Sequence, residues 1–80
     1  MTETELQQLA DKKYKEMFNE ELNVPVFFSN RLKKTTGRCY WKVENGIKIP
    51  RRISIYSNMW EDEILYVLIH ELIHVYLIRT

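Results

Sequence analysis

Eighty residues, 45% of them hydrophobic and 29% charged, make one small globular domain and exclude a disordered chain. A chain of this size buries only ~60–65% of the surface its unfolded form exposes, so its margin of stability is thin. One cysteine excludes an intrachain disulfide, and the net charge of +1 conceals a strong segregation: residues 1–22 carry −3, residues 23–52 carry +7 and residues 53–80 carry −3.

The chain starts MTETELQQLADKKYKEMF, without the basic and apolar regions of a signal peptide. Thr2-x-x-Glu5 is a capping box, in which hydroxyl and carboxylate satisfy free amides at a helix start. Leu6, Leu9, Ala10, Tyr14, Met17 and Phe18 recur at helical spacing, so the pattern predicts an amphipathic helix over residues 3–21, ended by Asn23 and Pro25. Val24-Pro25-Val26-Phe27-Phe28 then reads as a short strand with its proline near the start, which suits an edge. Cys39-Tyr40-Trp41-Lys42-Val43 is a second strand. Asn45-Gly46 follows it, the dipeptide that tolerates the positive φ angles of a tight hairpin. Ile47-Lys48-Ile49 and Ile53-Ser54-Ile55-Tyr56 continue with period-two alternation, interrupted at Pro50. The middle third is expected to form a three-stranded antiparallel sheet with basic residues on its exposed face and loops.

Ser57 and Asn58 are candidate caps for a last helix, whose start is favoured by Glu61, Asp62 and Glu63. Its apolar run, Ile64 to Ile78, is 15 residues long and broken by His70, Glu71 and His74. A membrane span needs ~20 predominantly apolar residues, so a buried helix is the reading. A helix apolar nearly all round must be covered on most sides, and self-association through its exposed face is one way to cover it. With a single cysteine and no span, the chain is expected to be intracellular, in the cytoplasm, with no membrane partner.

That helix also carries the chemistry. Residues four apart stand on one helix face, so His70 and His74 can aim imidazole nitrogens at one point, at the ~2.0–2.1 Å that zinc requires. Glu71, about 100° round the axis, is out of the ligand row but able to act as general base toward a metal-activated water. The plain alternative is a core helix with incidental polar residues. Burying two imidazoles and a carboxylate without partners would cost several kcal/mol, which argues for the metal. A catalytic zinc normally has three protein ligands, and there is no third histidine. Cys39 is chemically able, but a lone cysteine in a strand is more often a small buried hydrophobe. Glu44, Asp62 and Glu63 have no spacing in their favour. The basic middle third, with Arg31, Lys33, Lys34, Arg38, Arg51 and Arg52 beside Tyr40 and Trp41, reads either as a nucleic-acid contact or as a solvated sheet face.

The run FFSNRLKKTTGRCYWKVENGIKIPRRISIYSNMWEDEILYVLIHELIHVYL resembles the SprT-like (SprT/Spartan) zinc metallopeptidase family. The shared features come in order: a basic stretch, Gly-x-Cys-aromatic, a short Ile-rich strand, and a Leu-x-His-Glu-x-x-His block. The resemblance implies a zincin-like α+β fold with an N-terminal helix, a small sheet and a C-terminal active-site helix. It implies Zn2+ on His70 and His74, Glu71 as the catalytic base, a structural Cys39 and a protein substrate, with DNA near the basic third. It places the third ligand in a downstream histidine. The 80 residues are therefore expected to be a single truncated SprT-like domain, inactive alone. Two other readings stand beside this one, a regulatory phage-type metallopeptidase cleaving a repressor and a non-catalytic nucleic-acid-binding module.

Overall fold

A computed structural model describes residues 1–32 and 34–80, so the Lys33 expectation lies outside the described residues. The chain folds as α1 (Glu3–Phe18), β1 (Val26–Ser29), β2 (Gly37–Glu44), β3 (Ile47–Tyr56) and α2 (Glu61–Arg79). It is an α+β unit with a three-stranded mixed sheet between its two helices in sequence.

The capping box forms as its spacing predicts. Glu5 N–H donates to Thr2 Oγ1 at 3.1 Å and Thr2 N–H to Glu5 Oε1 at 2.8 Å. The helix stops earlier than its apolar pattern suggests, because Asn19 adopts a left-handed conformation (φ 57°) as the C-cap. At the other helix Ser57 and Asn58 are not the cap. Trp60 is, with its N–H donating to Glu63 Oε1 at 3.2 Å.

The sheet corrects the expectation of a purely antiparallel arrangement. Its order is β1-β3-β2, with β3 antiparallel to β2 but parallel to β1, where Val26 opposes Ile53 and Phe28 opposes Ile55. The connection over residues 30–36 steps past β3 to the far edge, so β1 never meets its chain neighbour. The strand with the most buried residues thereby takes the centre, with Ile53 and Ile55 fully buried. β3 also runs unbroken through Pro50. β1 covers only Ile53 to Tyr56, so at Pro50 the strand has β2 on one side and no ladder on the other to need a missing N–H. The register slips between Tyr40 and Trp41, which leaves Arg51 as the extra residue of a bulge. Asn45 (φ 52°) and Gly46 (φ 78°) make the expected hairpin turn.

Both helices lie on one face of the sheet, over a core of Leu6, Ala10 and Tyr14 from α1, Val26, Ile53 and Ile55 from the sheet, and Ile64, Leu68, Leu72 and Val75 from α2. Phe18 stacks on Tyr76 with centroids 4.1 Å apart, joining the two helices. Arg79 closes the end of α2 against the loop after α1, donating to Glu21 O at 3.1 Å and to Leu22 O, with its guanidinium 5.5 Å from the Tyr14 ring centre. The outer edge of β1 is closed by α1. Gln7 accepts from Val26 N–H at 2.8 Å and donates to Val24 O at 3.1 Å, and Glu3 accepts from Phe28 N–H at 2.9 Å. Such side-chain plugs stop an edge from pairing with another chain. Tyr66, Ile73 and Leu77 remain exposed on α2, in line with its all-round apolarity. Among the described residues no helix is long and apolar enough to cross a membrane.

Candidate metal centre

The burial of α2 follows Ile64, Leu68, Leu72 and Val75, and Glu71 falls on this same stripe at 6% exposure. His70 and His74 lie on the neighbouring, exposed stripe. The helical repeat thus separates them as their spacing requires, imidazoles outward and carboxylate inward toward β2.

The two Nε2 atoms stand 3.0 Å apart, with the rings edge to face and their centroids at 4.7 Å. A tetrahedral zinc with Zn–N bonds of 2.0–2.1 Å holds two nitrogens about 3.3 Å apart, so this pair fits the ion with a small rotamer adjustment. Donor atoms of His70, Glu71 and His74 all lie within 4.8 Å of one another. Among the described residues no other His, Cys, Asp or Glu joins this group.

Glu71 reaches the sheet at Gly37 and Cys39. Burial pushes its carboxyl above the ordinary value, against the lowering influence of His74, His70 and a hydrogen bond with the Cys39 backbone. A buried acid beside two imidazoles is a setting in which a general base can be poised. Gly37 makes this approach possible. A Cβ there would stand 2.5 Å from Val67 Cγ1 and 3.1 Å from Glu71 Oε2. Gly37 opens β2, and an isolated glycine at a strand is a known sign of close backbone approach.

Cys39 lines the groove beside Glu71 and is partly buried. Its thiol is pushed up to about 11, first by burial and then by the Glu71 charge, with Arg79 acting the other way. Without a metal it is a neutral thiol at pH 7, and its sulfur is not among the donor atoms that His70, Glu71 and His74 bring together.

Two adjoining depressions flank the triad. One, of about 340 Å³, runs past Cys39, Trp41, His74 and Ile78; the other, of about 240 Å³, is walled by Thr36, Tyr66 and Val67. Thr35, Gly37, His70 and Glu71 line both.

The basic candidates divide. Arg38 and Arg52 meet on the outer sheet face, where their guanidinium carbons stand 5.1 and 4.3 Å from the centre of the Tyr40 ring between them. Arg51 lines a groove on the same side with Phe27, Tyr40 and Trp41. Arg31 and Lys34 lie exposed on the connection before β2, outside that stack.

The SprT-like family model matches residues 4–80 of the chain. No curated protein and no solved structure matches it.

Proposed function

The chain belongs to the SprT-like family, and from that premise we propose that it is a zinc-dependent peptidase of zincin-like design, with His70 and His74 as metal ligands and Glu71 as the base. The observation that carries this reading is the 3.0 Å convergence of the two Nε2 atoms over a buried glutamate. Zinc, when bound, supplies a Lewis acid that polarises a peptide carbonyl and makes water acidic near neutral pH. The chain's own residues do the rest. His70 and His74 present the lone pairs of their Nε2 atoms, Glu71 takes a proton from the attacking water, and the same carboxylate returns it to the leaving amine. A third protein ligand, which the family resemblance places in a downstream histidine, completes the set in this reading. The substrate that fits is a polypeptide in extended form along β2, because that sheet edge borders the triad whereas the β1 edge is plugged by Gln7 and Glu3.

Zinc titration against a chromophoric chelator tests the ligand assignment. His70→Ala or His74→Ala is expected to weaken zinc binding ~10-fold or more, since each removes one of the inner ligands. An affinity unchanged by both substitutions would remove the metal from this site.

A second reading concerns the outer sheet face, and the Arg38–Tyr40–Arg52 stack favours it. No described carboxylate forms an ion pair with Arg38, Arg51 or Arg52. Guanidiniums without direct ion pairs, interleaved with Phe27, Tyr40 and Trp41, suit single-stranded nucleic acid, with phosphates on the arginines and bases on the rings. In this reading the peptidase works on proteins near DNA. Fluorescence anisotropy with a labelled single-stranded oligonucleotide is expected to show ~10-fold weaker binding for Arg52→Glu and a steep loss of affinity with salt. Binding indifferent to salt would rule the face out as a phosphate site.

A further inference from the structure

Gly37 carries two backbone groups that any ligand in this site would meet. Tyr56 N–H donates to Thr36 O at 2.8 Å, and Gly37 opposes Ile55 in the register. Antiparallel pairing alternates, so the N–H and C=O of Gly37 point away from β3 toward the open edge. Buried backbone groups facing away from their own ladder need partners. Thr35 provides both with a single atom. Its hydroxyl donates to Gly37 O at 2.7 Å, and the Gly37 N–H reaches back to the same oxygen at 3.4 Å. A hydroxyl is suited to this because one oxygen is at once donor and acceptor.

An extended peptide lying antiparallel to β2 offers Gly37 the same two partners, the C=O and N–H of one residue. We infer that the Thr35 hydroxyl is a placeholder for the substrate backbone. It holds the outward groups of Gly37 in the free protein and swings aside when an extended peptide pairs with β2. The inference rests on the peptidase reading and extends it to how the substrate is admitted. Thr35 is exposed and belongs to the connection before β2, so turning its χ1 meets little packing. It also lines both depressions beside Glu71, at the point a crossing chain must pass. The exchange is nearly even, two hydrogen bonds to Thr35 for two to the peptide. The hydroxyl therefore competes with substrate, and removing it tightens binding. In the free protein it keeps this stretch of edge from pairing with stray strands, the task Gln7 and Glu3 perform on β1.

The test uses the zinc-loaded protein with two probes, a tetrapeptide hydroxamate that reaches along β2 and acetohydroxamate, which reaches only the metal. Thr35→Val is expected to tighten the tetrapeptide hydroxamate about 3- to 10-fold, the worth of one net hydrogen bond, and to leave acetohydroxamate as it was. Hydrogen exchange at the Gly37 amide should quicken in free Thr35→Val and slow again with the tetrapeptide bound. Thr35→Ser should restore the wild-type values, and Thr35→Ala should reproduce the Val result if the branched side chain disturbs the connection. Tetrapeptide binding that is unchanged or weaker in both Val and Ala variants would make Thr35 an ordinary turn residue. That outcome overturns the inference and leaves the peptidase reading intact. Failure of both hydroxamates to bind the zinc-loaded wild type would overturn the peptidase reading and the placeholder with it.

Discussion

Glu71→Gln is expected to make the metal-free protein more stable at pH 7 and to abolish the proposed peptidase activity. The carboxylate is buried in the stripe that otherwise holds Leu68, Leu72 and Val75, and burial raises its pKa. A raised folded pKa means that the folded state prefers the protonated acid. The stability contributed by that preference is fully present below the unfolded pKa and is lost as pH rises through the folded one. As pH rises past the ordinary carboxylate value the wild type therefore loses stability that glutamine, which does not ionise, keeps, and its Tm should fall below that of the variant. Below the ordinary carboxylate value of 4.5 the two proteins should melt together, because both then hold a neutral side chain. Thermal melts from pH 4 to pH 8 read this directly. Zinc affinity should stay within about threefold, since both imidazoles remain. Cleavage by the zinc-loaded protein with a complete ligand set should fall by at least ~100-fold, the usual worth of a general base. If Glu71→Gln melts lower at every pH, the carboxylate is a structural hydrogen-bond partner of the sheet and no stored strain.

The residues that could be read in advance are those whose partners lie within a few positions. Thr2 and Glu5 cap α1, Asn45-Gly46 turns the hairpin, and His70 and His74 fall on one helical row, because each depends on local geometry alone. The same holds for the existence of α2, whose acidic start and apolar run fit no strand. What stayed hidden depends on neighbours far along the chain. The parallel pairing of β1 follows from the order of the strands, which alternation in sequence does not encode. Pro50 argued for a break in β3, and it is tolerated only because β1 is too short to reach it. The charge cluster was visible, but its division was not. Pairing in register sets Arg52 opposite Tyr40, and alternation along β2 puts Arg38 on the same face, while Arg31 and Lys34 stay on the connection. At the site itself, spacing alone singled out His70, Glu71 and His74 as one group. It could not show that Glu71 is turned into the core, or that Thr35 and Gly37 face it, since both facts come from how closely β2 lies on α2.

That closeness is what Gly37→Ala should break. Gly37 is not among the residues with positive φ, so alanine can adopt its backbone conformation. On propensity alone the change would stabilise a strand by roughly 0.5–1 kcal/mol. The contact decides against it. The added Cβ would lie 2.5 Å from Val67 Cγ1, and 3.1 and 3.2 Å from Glu71 Oε2 and Cγ. Val67 is β-branched on a helix, where one χ1 is strongly preferred, so it has little freedom to turn away. Either β2 and α2 separate or both side chains leave their rotamers, at a cost of about 1–3 kcal/mol for overpacking. The overpacking outweighs the propensity gain, and Tm should fall by about 5–10 °C. The functional loss should exceed the loss of stability, because the side chain pushed aside is the proposed base, and a misplacement of 1 Å can cost ~100-fold in rate. Val67→Ala separates the two effects. It vacates the position of Cγ1, so the double variant Gly37→Ala/Val67→Ala should recover most of the melting temperature while the contact on Glu71 persists. A thermodynamic cycle on the pair should show a coupling of ~1 kcal/mol or more. Additive losses in that cycle would mean that Gly37 is required for some reason other than the approach of α2.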